Sequence, residues 1–454
     1  MMGTWLQPSV LTGVLTCKIV EWVVGVSLNL LVLWILLNEQ ARRHRSGAWS
    51  SLAVFLSFMG IYALSSVTIH AGPLAQSWPS HYVRLADALA HGRLYLQESF
   101  FEVTTYHGHI YVMEPIFPAL LMLPFVAMVG KGFYDVCFLI IVGAMNVAMV
   151  FALWPKIAAA IPRVSNSLAS RYWLTLLFGL GTPHWYLAIG GRVWHAEGVV
   201  ALWCLLLAMH EALGKGRFPL VCLYLGWAFL SHPPTIFSFP FFALCFLSSS
   251  RGTTSRPSAR IIRDGLIGLL LLFTEIALGW GWYNYARFGN VFEAGVTPAY
   301  LDDVAHGVAP PYGLFDLRYL PRNLWIALIR FPGLRWEVPY AKMDPLGVGM
   351  ASGFGIFWAT PAFVYLFGSL RFLRRSMIVL GSWLALTMIL ACLMMFDNAG
   401  ATQLGYRRIL DAMPFILLLT AVGIRDVRRN VALGLIGGSI LINAIGTLWF
   451  YRFH

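Results

Sequence analysis

Apolar stretches of about 20 residues follow one another along most of the chain, and short loops rich in arginine and lysine separate them. A stretch of that length crosses the hydrocarbon core of a bilayer as one α-helix. The 454 residues are 59% hydrophobic and 11% charged, with a mean hydropathy of +0.70. Soluble globular domains of this size do not have such a composition. The sequence therefore predicts an all-α polytopic membrane protein.

The positions of the basic residues predict how the chain is threaded through the membrane. Short loops rich in Lys and Arg face the cytoplasm, and six clusters are assigned to that side, at residues 42–45, 156–171, 215–217, 251–263, 371–375 and 425–429. An even number of spans then fits between each pair of clusters, which gives twelve transmembrane helices with both termini outside. The predicted spans cover residues 19–38, 50–68, 134–154, 172–190, 198–213, 218–249 (two spans, broken at 231–234), 264–284, 349–369, 376–395, 409–424 and 432–450.

Two long loops face outward in this topology, residues 69–131 and 287–347. The first is polar and aromatic and ends in a short apolar segment broken by prolines, which we expect to form a juxtamembrane helix on the outer surface. Three regions follow from this division. They are an extra N-terminal transmembrane helix with a basic cytoplasmic loop (1–47), the main transmembrane domain (48–425) and a C-terminal transmembrane helix (426–454).

Several classes of partner are not indicated by the sequence. The net charge of +12 is explained by the cytoplasmic loops, so it does not indicate a nucleic-acid partner. The six cysteines form no CxxC pair and are interpreted as small core residues. His107 and His109 have no third ligand nearby in the sequence, so we expect neither a metal site nor a cofactor.

The first outer loop contains the residues most suited to acid–base chemistry. Glycosyl or acyl transfer needs a group that takes the proton from an acceptor hydroxyl, and the candidates are Asp87, Glu102, Glu114 and His81. Asp87 has basic neighbours at i−3 and i+4 of a helical stretch and can equally form an ion pair there. Glu114 precedes an apolar helix and can equally compensate its dipole. Glu102 has no evident local partner, which leaves it either solvated or functional.

Several arginines are predicted on the outer side, although basic residues are usually enriched in cytoplasmic loops. Their forked guanidinium groups match the oxygens of a phosphate, although a single arginine can also reach ordinary headgroups. Arg407 and Arg408 lie at the mouth of a span and are the pair least well explained by headgroups. Arg322 and Arg330 share a helical face if that stretch is helical. The candidate substrate-binding residues are Tyr406, Arg407, Arg408, Arg322, Arg330, Arg93, Arg192, Trp194, His195 and His232.

Five motifs occur in an order that is similar to a known family. They are YVRLADALAHGRL (82–94), the proline-containing segment 106–125, FLSHPPTIFSFPFF (229–242), YNYARFGNVFEAG (283–295) and GYRRILDAMPFILLL (405–419). Together they resemble the GT-C superfamily of integral-membrane glycosyltransferases, and within it the protein O-mannosyltransferase and aminoarabinose transferase group. The resemblance covers residues 48–425.

The resemblance implies a polyprenyl-phosphate-linked sugar donor and an active site on the extracytoplasmic face of the cell membrane. It also implies inversion at the anomeric carbon, with one carboxylate of the first outer loop as base. In that group an acidic residue usually stands a few positions before the Leu-Ala of the loop helix, whereas this chain has Pro79-Ser80 there. The base therefore stays open among the four candidates, or transferase activity has been lost.

The predicted function is transfer of a sugar from a polyprenyl-phosphate donor to a protein, lipid or glycan acceptor at the outer face. The donor, that acceptor and membrane lipids are the expected partners. One alternative is a lipid or oligosaccharide transporter or flippase, in which polar groups would continue through the bundle. Here they are concentrated outside, and the exceptions are Glu21 and Glu275 in the middle of spans. The other alternative is a non-catalytic glycolipid-binding protein on the same scaffold.

Overall fold

The computed structural model describes residues 47–68, 72–162, 164–250, 259–307, 310–331, 354–398, 400 and 403–453. The predicted span at 19–38, almost all of the N-terminal region and residues 332–347 of the second outer loop lie outside these ranges. Within the described ranges the chain is helical apart from loops and one two-stranded sheet.

The helices are bounded as follows. They are α1 Gly47–Thr68, α2 His81–Ala90, α3 Phe117–Val129, α4 Asp135–Ala160, α5 Leu168–Leu180, α6 His184–Ala188, α7 Val193–Ala212, α8 Phe218–Phe229, α9 Phe239–Ser250, α10 Ala259–Glu275, α11 Tyr283–Phe288, α12 Val296–Ala305, α13 Leu320–Leu324, α14 Ile356–Ala359, α15 Met377–Met395, α16 Met413–Ile424 and α17 Arg429–Phe453. Tighter 3₁₀ segments cover Gly130–Gly132, Pro233–Ser238, Leu317–Tyr319, Pro361–Phe372 and Arg407–Ala412, and wider π segments cover Ile276–Trp282 and Trp325–Ile329. The strands are β1 Val103–Tyr106 and β2 His109–Val112.

Five helices in the described part of the chain are long and apolar enough to cross a membrane: α1, α4, α7, α15 and α17. Their number and hydropathy identify a membrane protein. Other predicted spans are assembled from shorter pieces. The span at 172–190 is interrupted after Leu180 by Gly181-Thr182-Pro183, because proline cannot donate to the helical ladder. The break expected at 231–234 is present between α8 and the 3₁₀ segment.

The centre of the bundle is formed by α16 and α7. Every residue of α16 from Met413 to Gly423 is buried, as expected for a helix that is apolar on all sides. Helix α4 packs between α1 and α7, and α8 packs against α7 and α10. Polar groups inside the bundle bond to one another or to carbonyls: the Tyr62 hydroxyl donates to the Gly179 oxygen at 2.7 Å, and the Asn146 amide donates to the Val199 oxygen at 3.0 Å.

A β-hairpin between α2 and α3 is the part of the fold that the all-α prediction did not include. Its antiparallel register pairs Val103 with Val112 and Tyr106 with His109. The two-residue turn has φ of 49° at His107 and 78° at Gly108, as in the type I′ turns that match the strand twist. These strands are only four residues long, too short to show a clear alternation. The predicted juxtamembrane helix of this loop corresponds to α3.

Basic residues from distant parts of the chain meet at one end of the bundle, which we call the basic end. Lys156 Nζ lies 2.7 Å from His210 Nδ1, Arg371 Nη1 lies 3.0 Å from Asp426 Oδ2, and Arg425 reaches the Pro162 oxygen. These contacts join three of the clusters that the sequence assigned to the cytoplasm. Helix α7 has His210 at the basic end, and its first turns lie at the opposite end of the bundle.

Candidate functional site

The β-hairpin places two acidic residues of the first loop side by side. Glu102 immediately precedes β1, Glu114 follows β2 by two residues, and the register aligns the start of one strand with the end of the other. Glu102 has a left-handed backbone with φ of 60°, a conformation that non-glycine residues seldom adopt. This turn directs the chain from α2 into the hairpin. Local hairpin geometry therefore brings together two carboxylates that are twelve positions apart in the sequence.

Glu102 faces the first turns of α7. The pKa of Glu102 is raised to about 7. Burial is the main cause and the charge of Glu197 adds to it, while Arg407, a hydrogen bond from Trp194 and Arg192 act in the opposite direction. A carboxyl group with this pKa exchanges its proton near neutral pH.

Glu114 lies deeper than Glu102 in the same group of side chains. Burial raises its pKa well above the ordinary value, and the charges of Glu197 and Glu102 raise it further. One of its carboxyl oxygens has no hydrogen-bond partner among the described residues. Two carboxylates close together in a dry site cannot both ionise easily, so each of the two favours the neutral form of the other.

A second acidic pair flanks His232 on the far wall. His232 Nδ1 lies 2.6 Å from Asp411 Oδ2, and Nε2 lies 3.9 Å from Glu197 Oε1. The side chain of Asp411 is 1% exposed, and those of His232 and Glu197 are each 12% exposed. Burial lowers the pKa of His232, but the two carboxylates outweigh burial and the net pKa is raised. His232 lies at the break between α8 and Pro233, where the chain leaves the helix and turns the ring inward.

Two arginines on one 3₁₀ segment supply positive charge to this group. Arg407 is only 7% exposed, and its guanidinium carbon lies 4.8 Å from the centre of the Trp194 ring. Its backbone N–H donates to Gln403 Oε1 at 3.0 Å, whereas its Nε has no partner among the described residues. Arg408 Nη1 donates to the backbone carbonyl oxygen of Asn398 at 2.7 Å. The same segment also carries Asp411, so a single short element contributes both signs of charge.

Two tyrosine hydroxyls complete the wall. Tyr82 on α2 is 3% exposed and Tyr283 on α11 is 2% exposed, and neither hydroxyl has a partner in the described part of the chain. The pKa of Tyr82 is raised by burial and by the charges of Glu197 and Glu114, which shows that these groups lie close together. We call the whole set the carboxylate pocket. It consists of Tyr82, Glu102, Glu114, Trp194, Glu197, His232, Tyr283, Arg407 and Asp411.

Three candidates from the first loop lie outside the carboxylate pocket. His81 has its two ring nitrogens 2.9 Å from the carbonyl oxygens of Pro79 and Phe101, so neither nitrogen is open to a substrate. Its contact with Phe101 fixes the residue next to Glu102. Asp87 lies 3.7 Å from His91 one helical turn away. Arg93 lines a small surface depression together with Asp87.

The remaining arginine and histidine candidates occupy different surroundings. His195 is 2% exposed and packs among the rings of Tyr186 and Tyr451. Arg322 donates to Asn323 Oδ1 at 3.0 Å and to the carbonyl oxygen of Asp397. The sequence predicted one shared helical face for Arg322 and Arg330 if that stretch is helical. A π segment lies between them, and Arg330 follows the last residue of that segment, so the two side chains are not at regular α-helical spacing.

The structure also brings in two acidic residues that were not among the sequence candidates, Glu197 and Asp411. The predicted spans 172–190 and 198–213 left residues 191–197 as a loop, but α7 begins at Val193, so Trp194 and Glu197 lie three residues apart in its first turns. Asp411 follows Arg407 by four residues in GYRRILDA. The sequence contained a local signal for both acidic residues. Glu197 follows the candidate Trp194 by three positions, and Asp411 follows the candidate Arg407 by four, which are helical spacings.

The arrangement can bind an anionic group and move a proton. Positive charge in the carboxylate pocket comes from Arg407, with Arg408 beside it, and the Glu102 carboxyl, with a pKa of about 7, lies near Arg407. Among the described residues, no three His, Cys, Asp or Glu side chains are grouped as ligands for a metal ion.

Comparison with known proteins gives one structural likeness. No family model matches the chain, and no curated protein matches it. The chain is similar to the crystal structure of the Archaeoglobus fulgidus oligosaccharyltransferase in the apo form, with 13% identity and a TM-score of 0.45 over 88% of this chain and 56% of that one. This chain thus matches little more than half the length of that protein.

Proposed function

We propose that this protein is a membrane glycosyltransferase of the GT-C type, which moves a sugar from a polyprenyl-phosphate donor to an acceptor hydroxyl. The observation that carries the proposal is the juxtaposition of Glu102, whose pKa is about 7, with the buried guanidinium of Arg407. A proton acceptor and a phosphate ligand in one pocket match the two needs of this reaction. The transferase domain would extend over residues 48–425.

The two ends of the bundle support an assignment of the side of the membrane on which the carboxylate pocket lies. Fourteen residues of α7 separate Glu197 from Glu211, so these groups lie about 21 Å apart along the helix. Glu211 pairs with Arg217 at the basic end. Because short basic loops stay in the cytoplasm, this arrangement supports a basic end that faces inward and a carboxylate pocket on the extracytoplasmic side of the cell membrane.

Glu102 is the proposed general base. Its carboxylate takes the proton of the acceptor hydroxyl while that oxygen attacks the anomeric carbon of the donor. The bond between the anomeric carbon and the phosphate oxygen breaks, and its electron pair leaves with the polyprenyl phosphate. Attack from the side opposite the leaving group inverts the anomeric configuration. Glu102 is only partly buried, which supports access of an acceptor hydroxyl to its carboxylate.

Arg407 and Arg408 are the proposed ligands of the departing phosphate. Trp194 holds the Arg407 guanidinium against its ring, and the unpartnered Nε adds a donor in the plane that a phosphate oxygen requires. Fixed donors in a dry site stabilise charge that develops in the transition state. Removing one such donor typically costs about 100- to 1,000-fold in turnover.

The other members of the carboxylate pocket hold the charges in place. Against the effect of burial, Asp411 and Glu197 on either side of His232 favour its protonated form. The Glu114 carboxyl group and the hydroxyls of Tyr82 and Tyr283 would form hydrogen bonds to the hydroxyls of the sugar.

The test is turnover and binding of radiolabelled polyprenyl-phosphate sugars by the protein purified in lipid. The variants are Glu102→Gln and Arg407→Ala, and the control is Glu98→Gln, which removes an exposed carboxylate from the same loop. We expect Glu102→Gln to bind donor but lose turnover, Arg407→Ala to lose both, and the control to resemble wild type. Donor binding without any turnover in wild type would instead indicate a glycolipid-binding protein, and absence of donor binding would favour a transporter.

A further inference from the structure

A cavity of 350 Å³ lies at the basic end, far from the carboxylate pocket, between the start of α5, the end of α16 and the start of α17. One part of its lining is polar. Arg425 and Arg429 reach it from the α16–α17 connection, and the hydroxyl-bearing residues Ser165, Ser167 and Ser170 reach it from the start of α5.

The serines form a connected group at the mouth of the cavity. Ser167 caps α5 and accepts from the Ser170 N–H at 3.2 Å, and the two hydroxyl oxygens lie 2.8 Å apart. Trp154 Nε1 donates to the backbone carbonyl oxygen of Ser165 at 2.9 Å, and this bond fixes the segment to the end of α4. The same cavity is therefore lined by a connected row of hydroxyls and by two arginines.

The rest of the cavity is apolar. Leu174 on α5 and Leu433 and Ile436 on α17 line its wall. Trp173, which is 37% exposed, lies at its edge, as tryptophans do at the level of lipid headgroups. A polar mouth followed by an apolar wall fits an amphiphile better than a soluble anion.

We propose that this cavity binds an anionic phospholipid of the cytoplasmic leaflet. Arg425 and Arg429 take the phosphate oxygens as forked donors, the serine hydroxyls bind the headgroup, and the first part of one acyl chain lies along α5 and α17. A volume of 350 Å³ accommodates a headgroup and the start of a chain, and the remaining chain stays in the bilayer. Asp426, next to Arg425, pairs with Arg371 at 3.0 Å.

The bound lipid would link α5 to α17 across the buried helix α16. This inference does not depend on the proposed reaction, because its residues and ligand are separate from those of the carboxylate pocket. Two guanidinium–phosphate contacts, each worth about tenfold, would contribute about 100-fold to the affinity.

The experiment compares full-length protein in nanodiscs of phosphatidylcholine with protein in nanodiscs that also contain phosphatidylglycerol, by thermal unfolding and by native mass spectrometry of retained lipid. The test variant is Arg425→Gln with Arg429→Gln. The matched control is Arg374→Gln with Arg375→Gln, which removes the same charge from exposed residues at the same end that do not line the cavity.

We expect phosphatidylglycerol to raise the Tm of wild type and of the control, and the test variant to lose this shift together with about 100-fold in phosphatidylglycerol affinity. Ala169→Phe fills the exposed mouth without removing charge and should lose the shift as well. If the test and control variants lost the Tm shift equally, general surface charge would explain the effect and the proposed site would be wrong. A shift produced by inorganic phosphate alone would overturn the lipid assignment.

Discussion

Replacing Glu102 by glutamine should make the protein more stable at alkaline pH while turnover is lost. The pKa of this carboxyl is raised from 4.5 to about 7, chiefly by burial, and the attraction of Arg407 is already contained in that balance. The folded state therefore binds this proton more tightly than the unfolded chain. The stability contributed by the protonated group is fully present below about pH 4.5 and is lost as the pH rises to about 7.

The size of the effect follows from the pKa difference. A rise of about 2.5 units at about 1.36 kcal/mol per unit gives about 3 kcal/mol. At about pH 8 the ionised Glu102 destabilises the folded state by that amount, and glutamine, which has nearly the same shape and no charge, removes the cost. At about pH 5 both side chains are neutral in the folded protein, and the difference should nearly disappear.

The assay is thermal unfolding of wild type and Glu102→Gln in the same lipid at about pH 5 and about pH 8. Glu98→Gln is the control, because the pKa of Glu98 is lowered by Arg84 and Lys131 and its loss brings no gain. A higher Tm for Glu102→Gln at the alkaline pH only is the expected result. An unchanged or lower Tm at that pH, or the same gain at both, would refute the reasoning.

Three further results are expected from the same pocket. Donor turnover by wild type should rise with pH through about 7, as Glu102 loses its proton, and a flat pH–rate profile would contradict its role as base. Asp411→Asn should lose about 3 kcal/mol of unfolding free energy because it breaks a buried ion pair; the control, Asp302→Asn, breaks an exposed Asp–His pair and should change stability by less than about 0.5 kcal/mol. Gly108→Ala should lower the free energy of unfolding by about 1 kcal/mol, because alanine is strained in the left-handed hairpin turn. It should also lower turnover by displacing the carboxylates, and a variant with the stability and rate of wild type would disprove this.

The membrane character and the basic end could be predicted from sequence because both depend on local composition. Hydropathy over about 20 residues identifies α1, α4, α7, α15 and α17. Loop charge identified clusters that the structure brings together through contacts such as Arg371 with Asp426. The break at 231–234 was also predicted, whereas the interruption at Gly181-Thr182-Pro183 was not, although its proline was a local signal.

The carboxylate pocket could be predicted only in part. Glu102, Glu114, His232 and Arg407 were candidates on chemical grounds, but so were residues that lie elsewhere, such as Asp87. The His232–Asp411 contact joins positions 179 residues apart, and spacing along the chain says nothing about such a pair. The hairpin that aligns the two loop carboxylates was missed because its strands are short, although the His-Gly turn was a local signal for it.

The most direct test of the central claim is release of polyprenyl phosphate from bound donor, followed in a single turnover at about pH 8 for wild type, Glu102→Gln and Arg407→Lys. We expect rapid release by wild type, donor that stays intact on Glu102→Gln, and release slowed by about 100-fold or more in Arg407→Lys, because lysine keeps the charge but not the fork. Release by Glu102→Gln at the rate of wild type would contradict the account.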